Sequence, residues 1–373
     1  MRILLCNFHE ALGGGQDTYL LQLINALGTQ HTVAVACPPH SRLYTTLEDT
    51  FPCFAINYKA IFRKWQIASL WKFKRWLEKQ AFDVIHINGS ADHRAVLCVY
   101  PFLKHRPRLV VTKHNALKIK PGAWLRMHSG SDAIIAVSQA TRRHLLQAGL
   151  PTHKIETIPN GIDTEFYQPV SLTEKKRLRA QYGLDEKNLV FVSNAGTARC
   201  KNWFSLLTAM AALPSELRSP IRVLIAGALP STTDQLAIQN LGLASQVIFP
   251  GFLTDVRPML GVGDIGFVLS NAEETISFAC REMMAMGLPM LVSDYGGLPE
   301  NVTPQQDGWI VPCDDLATLT RTLTTLFTQK ETLTELGQQA RKKAVTEFAA
   351  QPFIEKTLRL YERLLNAEPR SHR

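Results

Sequence analysis

Two glutamates, Glu274 and Glu282, stand with seven residues between them in the stretch 273–289, EETISFACREMMAMGLP. The first falls in a loop after an apolar strand at 265–269, the second on a helix beginning near Phe278. A helix start presents unpaired N–H groups and the positive end of its dipole, which suits a diphosphate. A carboxylate one turn further along can accept hydrogen bonds from a ribose diol, as the acidic residue of dinucleotide-binding folds does. The plain alternative is a pair of structural glutamates on a surface helix. The segment 194–202, NAGTARCKN, likewise follows a strand and precedes a helix, so Arg199 and Lys201 are expected to face the same crevice. A solvated pair of loop cations is the alternative there.

Such positions need a frame. The run 2–7 reads as a buried strand, and Gly13, Gly14 and Gly15 open a helix with Tyr19, Leu20, Leu23, Ile24 and Leu27 on its apolar face. Strands follow at 31–36, Val84–Ile87, 109–112 and 133–137, with helical patterns between several of them, and the Pro-Asn-Gly of 155–163 reads as a turn. A second series runs through Leu189–Ser193, 223–226, 247–249, 265–269, 290–292 and Gly308–Val311. Strands alternating with helices predict an α/β fold of two Rossmann-like domains facing a central crevice, 1–165 and 166–350. Helices at 330–347 and 353–366 close the chain, with 351–373 packing back towards the first domain.

Composition narrows the class. The chain has 373 residues, 46% hydrophobic and 20% charged, which is enough for two cores and unlike a disordered chain. Apolar runs such as 95–103 fall far short of the roughly 20 residues that span a bilayer. The N-terminus reads as a first strand rather than a signal peptide. Seven scattered cysteines without a C-x-x-C pair suggest neither a disulfide framework nor structural zinc, and point to a reducing, cytoplasmic address. No D-x-D follows a strand, so no metal is expected. The net charge is +9, and residues 1–168 hold 20 Lys/Arg against 11 Asp/Glu, so the whole surplus of nine lies in that half. The basic half should meet an anionic partner.

The motifs together resemble the family-4 retaining glycosyltransferases with the GT-B fold, of lipopolysaccharide-core type. The likeness rests on Glu274 and Glu282 followed by Gly287-Leu-Pro289, on Asp294-Tyr-Gly296-Gly297, Asp307-Gly308, Gly251-Phe252 and Asp264, on Pro159-Asn-Gly-Ile-Asp163, and on Ser138 with Arg142. It runs over nearly the whole chain. The resemblance implies that Glu282 binds the donor ribose and Glu274 the hydroxyls of the transferred sugar. Amides around Ile276, Ser277 and Phe278 would hold the diphosphate, and Phe252 would lie near the base. Lys201 matches the family lysine that neutralises the leaving diphosphate. The family arginine falls at Gly196, and Arg199 is the expected substitute. Gly14 and Gly15 match the family's glycine loop, and His114 matches a position that contacts the transferred sugar. A lone histidine is otherwise more often structural, as His86 is expected to be. Asp17, Asn88 and Asp92 are candidates for the acceptor face.

Residues 58–79, YKAIFRKWQIASLWKFKRWLEK, mix cations with aromatics. A helix from about Trp65 is expected to carry Ile67, Leu70, Trp71 and Leu77 on one face, with Lys72, Lys74 and Arg75 flanking it. That composition suits an anionic membrane surface or a phosphorylated glycolipid. A solvated basic face over core aromatics is the alternative. The reading is therefore a metal-independent, retaining hexosyltransferase on the cytoplasmic face of the inner membrane. Its donor is a nucleotide diphosphate sugar, UDP-linked, and its acceptor an anionic glycolipid or lipopolysaccharide core. The rivals are a soluble acceptor, an epimerase, or a basic nucleic-acid-binding protein, although no nucleic-acid motif is present.

Overall fold

The computed structural model describes residues 1–10, 14–63 and 67–367. The chain divides into two compact units, Met1–Gly161 with Ala350–Arg373, and Ile162–Ala349. The first contains seven parallel strands: β1 (Arg2–Cys6), β2 (Thr32–Cys37), β3 (Cys53–Ala55), β4 (Val84–Ile87), β5 (Arg108–Lys113), β6 (Ala133–Ala136) and β7 (Ile155–Thr157). Their order is β3-β2-β1-β4-β5-β6-β7. The second contains β8 (Leu189–Ser193), β9 (Ile221–Ala226), β10 (Val247–Gly251), β11 (Ile265–Val268), β12 (Met290–Ser293) and β13 (Gly308–Val311), ordered β10-β9-β8-β11-β12-β13. The central strands are near-continuous runs of Ile, Leu and Val buried on both faces, as parallel sheets covered by helices require. In each sheet the strand order reverses once, between β1 and β4 and between β8 and β11. Crevices for ligands open at the carboxyl ends of strands beside such a reversal.

The three-residue strands β3 and β7 were not among the expected elements, because so short an edge strand shows no periodicity; β7 begins the stretch read as a turn. The Ala350–Asn366 helix lies in the first unit, where Tyr361 Oη hydrogen-bonds His86 Nδ1 and Thr112 Oγ1 hydrogen-bonds His86 Nε2, both at 2.5 Å. Burial pushes His86 down to about 3, so it is a neutral buried histidine fastening the terminal helix to the sheet.

The basic segment forms helices Tyr58–Arg63 and Ile67–Gln80; Lys64 and Trp65 lie outside the described residues. Of the expected apolar face, Leu70 and Leu77 pack on the core, but Ile67 and Trp71 do not. Phe73 and Leu77 are buried and Trp76 packs on Phe54 and Phe82, whereas Ile67 and Trp71 are 61% and 59% exposed. Apolar residues occur all round this helix, and Phe73 with Leu77, one turn apart, reaches the core. Lys74 is committed to Glu78 at 2.9 Å, while Lys72 and Arg75 are exposed. No helix among the described residues is long and apolar enough to cross a membrane.

Candidate active site

The loops leaving β8 and β11 meet at the strand reversal of the second unit. Lys201, on the turn after β8, places its Nζ 2.9 Å from Glu274 Oε2 on the loop after β11. Glu274 is only 8% exposed. Ser270 Oγ donates to the same Oε2 at 3.0 Å, and the Thr275 amide donates to Oε1 at 3.3 Å. Both carboxylate oxygens are thus held in place before any ligand arrives, with acceptor capacity left over.

The loop itself is strained. Glu273 and Ser277 both adopt φ +54°, the left-handed region that side chains other than glycine avoid. Gly296 stands at φ +62°, and a β-carbon there would lie 2.3 Å from the Glu274 carbonyl oxygen. Glu274 therefore depends on a glycine 22 positions away in the chain. Ser277 Oγ accepts from the Cys280 amide and caps the Phe278–Ala285 helix, while the Ile276 carbonyl accepts from Asn301 Nδ2 at 2.7 Å. Asn301 Oδ1 in turn accepts from Arg281 Nε at 2.8 Å. Arg281 is buried, lies over the Phe348 ring, and is pushed by burial to about 10. These two supports escaped the sequence reading; a lone arginine within the apolar helix run ACREMM was their only signal.

Glu282, one turn into that helix, accepts from Asn194 Nδ2 at 2.6 Å and from the Tyr167 hydroxyl. Burial raises its carboxyl above the ordinary range, and the two hydrogen bonds oppose that rise. Asn194 directly follows β8, so Glu282, Lys201 and Glu274 are brought to one strand reversal. Phe252, just beyond β10, is 85% exposed and presents a free ring face. Arg199 is exposed and does not join the Lys201–Glu274 pair. Gly196 takes φ +88°, a conformation an arginine adopts only with strain. Asp264 serves structure: it pairs with Lys175 and Arg179 and accepts from the Val190 amide.

In the first unit, Gly14 precedes the Gly15–Leu27 helix without a side-chain cap, and both glycines are exposed; Gly13 lies outside the described residues. His114 follows β5. Its Nε2 hydrogen-bonds Asn88 Oδ1 at 2.9 Å and its ring meets Tyr19 edge-on at 4.8 Å. Burial and the nearby His86 and Lys113 push it down to about 3, leaving a neutral imidazole. Asp92 does not line an acceptor face, since it is fully buried and accepts from the Asn88 and His93 amides, with burial raising it to about 7. Asp17 is also buried and accepts from Asn7 Nδ2 at 2.8 Å.

Two parallel-sheet Rossmann-like units with this loop constellation define the GT-B class of glycosyltransferase. Residues 13–166 match Glycosyltransferase Family 4 and residues 174–343 match Glycosyl transferases group 1, and the chain belongs to these glycosyltransferases. It is 22% identical over 318 residues to the N-acetyl-alpha-D-glucosaminyl L-malate synthase of Bacillus anthracis, 82% of each chain. The crystal structure of a glycosyltransferase from Rickettsia africae superposes with a TM-score of 0.88 at 17% identity, over 98% of this chain and 99% of that one. Anabaena HepE in complex with UDP superposes at 0.83 and 20% identity, over 97% and 100%.

Proposed function

We propose that the protein moves a hexose from a UDP-linked sugar to a hydroxyl of an anionic envelope glycolipid of the lipopolysaccharide-core kind, with retention and without a metal. The observation that carries this reading is the Lys201–Glu274 pair set beside the start of the Phe278–Ala285 helix, with Glu282 one turn on. When the anomeric C–O bond breaks, negative charge grows on the leaving phosphate oxygen. Lys201 and the helix-start amides at Ile276, Ser277 and Phe278 oppose that charge, the part a divalent cation plays elsewhere. The acceptor oxygen attacks from the same face, and its proton passes to the departing phosphate. Glu274 holds the hexose hydroxyls, Glu282 the ribose diol and Phe252 the base. Arg199 is available to the outer phosphate; in the first unit, Gly14 and Gly15 leave a helix start open and His114 offers a neutral imidazole that can hydrogen-bond a hydroxyl.

Glu282→Ala tests the donor half of this assignment. Losing a charged hydrogen bond costs about 1.5–3 kcal/mol, roughly a 10- to 150-fold loss of UDP affinity by calorimetry. An unchanged dissociation constant would remove Glu282 from the ribose. Because burial raises this carboxyl, wild-type affinity should fall as pH drops through that raised value, and Glu282→Gln should flatten the profile.

Membrane docking is supported by the exposed Ile67, Trp71 and Phe102, the last 68% exposed, with Lys72, Arg75 and Lys104 nearby in the chain. Each cation near an anionic surface contributes about 1 kcal/mol, so Lys72→Ala with Arg75→Ala should weaken sedimentation with phosphatidylglycerol vesicles roughly thirtyfold. UDP affinity should not move. Equal loss of both would mean the variant is misfolded, and full retention of vesicle binding would exclude this face.

A further inference from the structure

At the carboxyl ends of β1, β4 and β5 the first unit holds a cavity of about 560 Å³, within the range of small-molecule sites. Its wall carries five cations, Arg94, Lys113, Lys118, Lys120 and Arg126, and no carboxylate. Two helices begin at its rim, Ser90–Val99 and Pro121–Gly130, neither with a side-chain cap, so their positive ends add to the same field. Among the described residues Lys113, Lys118, Lys120 and Arg126 form no ion pair, whereas Lys74 and Arg108 of the same unit each have an acidic partner.

That arrangement is costly without a ligand. Burial pushes Lys113 down to about 8, and burial together with the Arg94 charge lowers Arg126. Arg126 Nη2 donates to Ser90 Oγ at 2.7 Å, yet its Nε is buried without a hydrogen-bond partner. Gln16, also on the wall, has a buried Oε1 without one. Clustered cations with an unsatisfied guanidinium donor and adjacent helix starts match a phosphate, and the roomy neighbouring wall with Gln16, Asn115 and His114 matches a sugar.

We propose that this pocket binds the phosphate monoester of the acceptor, with Arg126 and Lys113 on the phosphate and the exposed Lys118 and Lys120 beside it. The inference rests on the glycosyl-transfer reading and names the anion that makes the acceptor acidic. The phosphate sits either on the acceptor's sugar or on its lipid headgroup.

Isothermal titration of the full-length protein with glucose 6-phosphate, glucose and UDP tests it. Glucose 6-phosphate should bind with or without saturating UDP, and glucose far more weakly. Arg126→Gln and Lys113→Gln should each weaken glucose 6-phosphate roughly tenfold or more, as each removes a charge-assisted hydrogen bond. UDP affinity should stay at the wild-type value in both, and Arg126→Lys should recover part of the loss. Equal binding of glucose, binding undiminished in both variants, or displacement of glucose 6-phosphate by UDP would each overturn the proposal. Variant-sensitive glucose 6-phosphate binding in a protein that ignores UDP would uphold the pocket while removing the donor assignment. Displacement by phosphatidylcholine vesicles containing phosphatidic acid would support a lipid source for the phosphate, and no displacement a sugar source. Failure of both probes to bind would overturn it.

Discussion

Lys201→Ala is expected to lower turnover by about 10²- to 10³-fold, the usual loss when one donor to a developing oxyanion is removed. Nucleotide affinity should change much less, because the charge on the leaving oxygen grows only as the bond breaks. Structure must be separated from chemistry here, since Lys201 also neutralises a nearly buried carboxylate at 2.9 Å. Without its partner Glu274 keeps only Ser270 and the Thr275 amide, so the single variant should melt earlier than wild type. Adding Glu274→Gln to Lys201→Ala should restore the melting temperature but not the turnover. If the double variant recovers both, the lysine is structural. Single-turnover rates and thermal melts together decide it.

The second large effect is expected at Gly296→Ala, although this residue is assigned no contact with any ligand. Its φ of +62° already disfavours a side chain by roughly 1–2 kcal/mol. The added carbon would stand 2.3 Å from the Glu274 carbonyl oxygen, a backbone atom that cannot rotate aside. The loop must therefore shift, carrying Glu274 away from Lys201. A misplacement of about 1 Å costs roughly 10²-fold in rate, so turnover should fall by that order. Glu282 is held separately, by Asn194 and Tyr167, so UDP affinity should stay within a few-fold of wild type. Wild-type turnover in Gly296→Ala would mean that the position of this loop is not limiting.

Much of this arrangement is legible in the sequence, for identifiable reasons. Buried parallel strands are near-unbroken apolar runs, so β1, β6 and β8 stand out, whereas β3 and β7 are too short to carry a pattern. Glu274, Glu282 and Lys201 lie beside strand and helix boundaries, and their convergence follows once strand order is known. What sequence alone hides is side-chain direction. The Ile67–Gln80 helix carries apolar residues all round, and only packing shows that Phe73 turns inward and Trp71 outward. The same holds for Arg281 and Asn301, 20 positions apart, which meet beneath the loop at 2.8 Å. Asp92, in the first turn of the helix after β4, and Lys113, at the end of β5, likewise look alike as polar residues near strand ends. One is sealed against backbone amides, and the other lines a cavity.

Nucleotide binding is the point on which the site assignment stands, and thermal unfolding in the presence of UDP, GDP or ADP, without added metal, measures it most directly. A ligand at 100 times its dissociation constant stabilises the native state by about 2.7 kcal/mol, which shifts a melt visibly. The expected result is a rise with UDP, absent with GDP and ADP and reduced in Glu282→Ala. Melting curves that coincide with and without all three nucleotides would contradict the roles given to Glu282, Lys201 and the helix start.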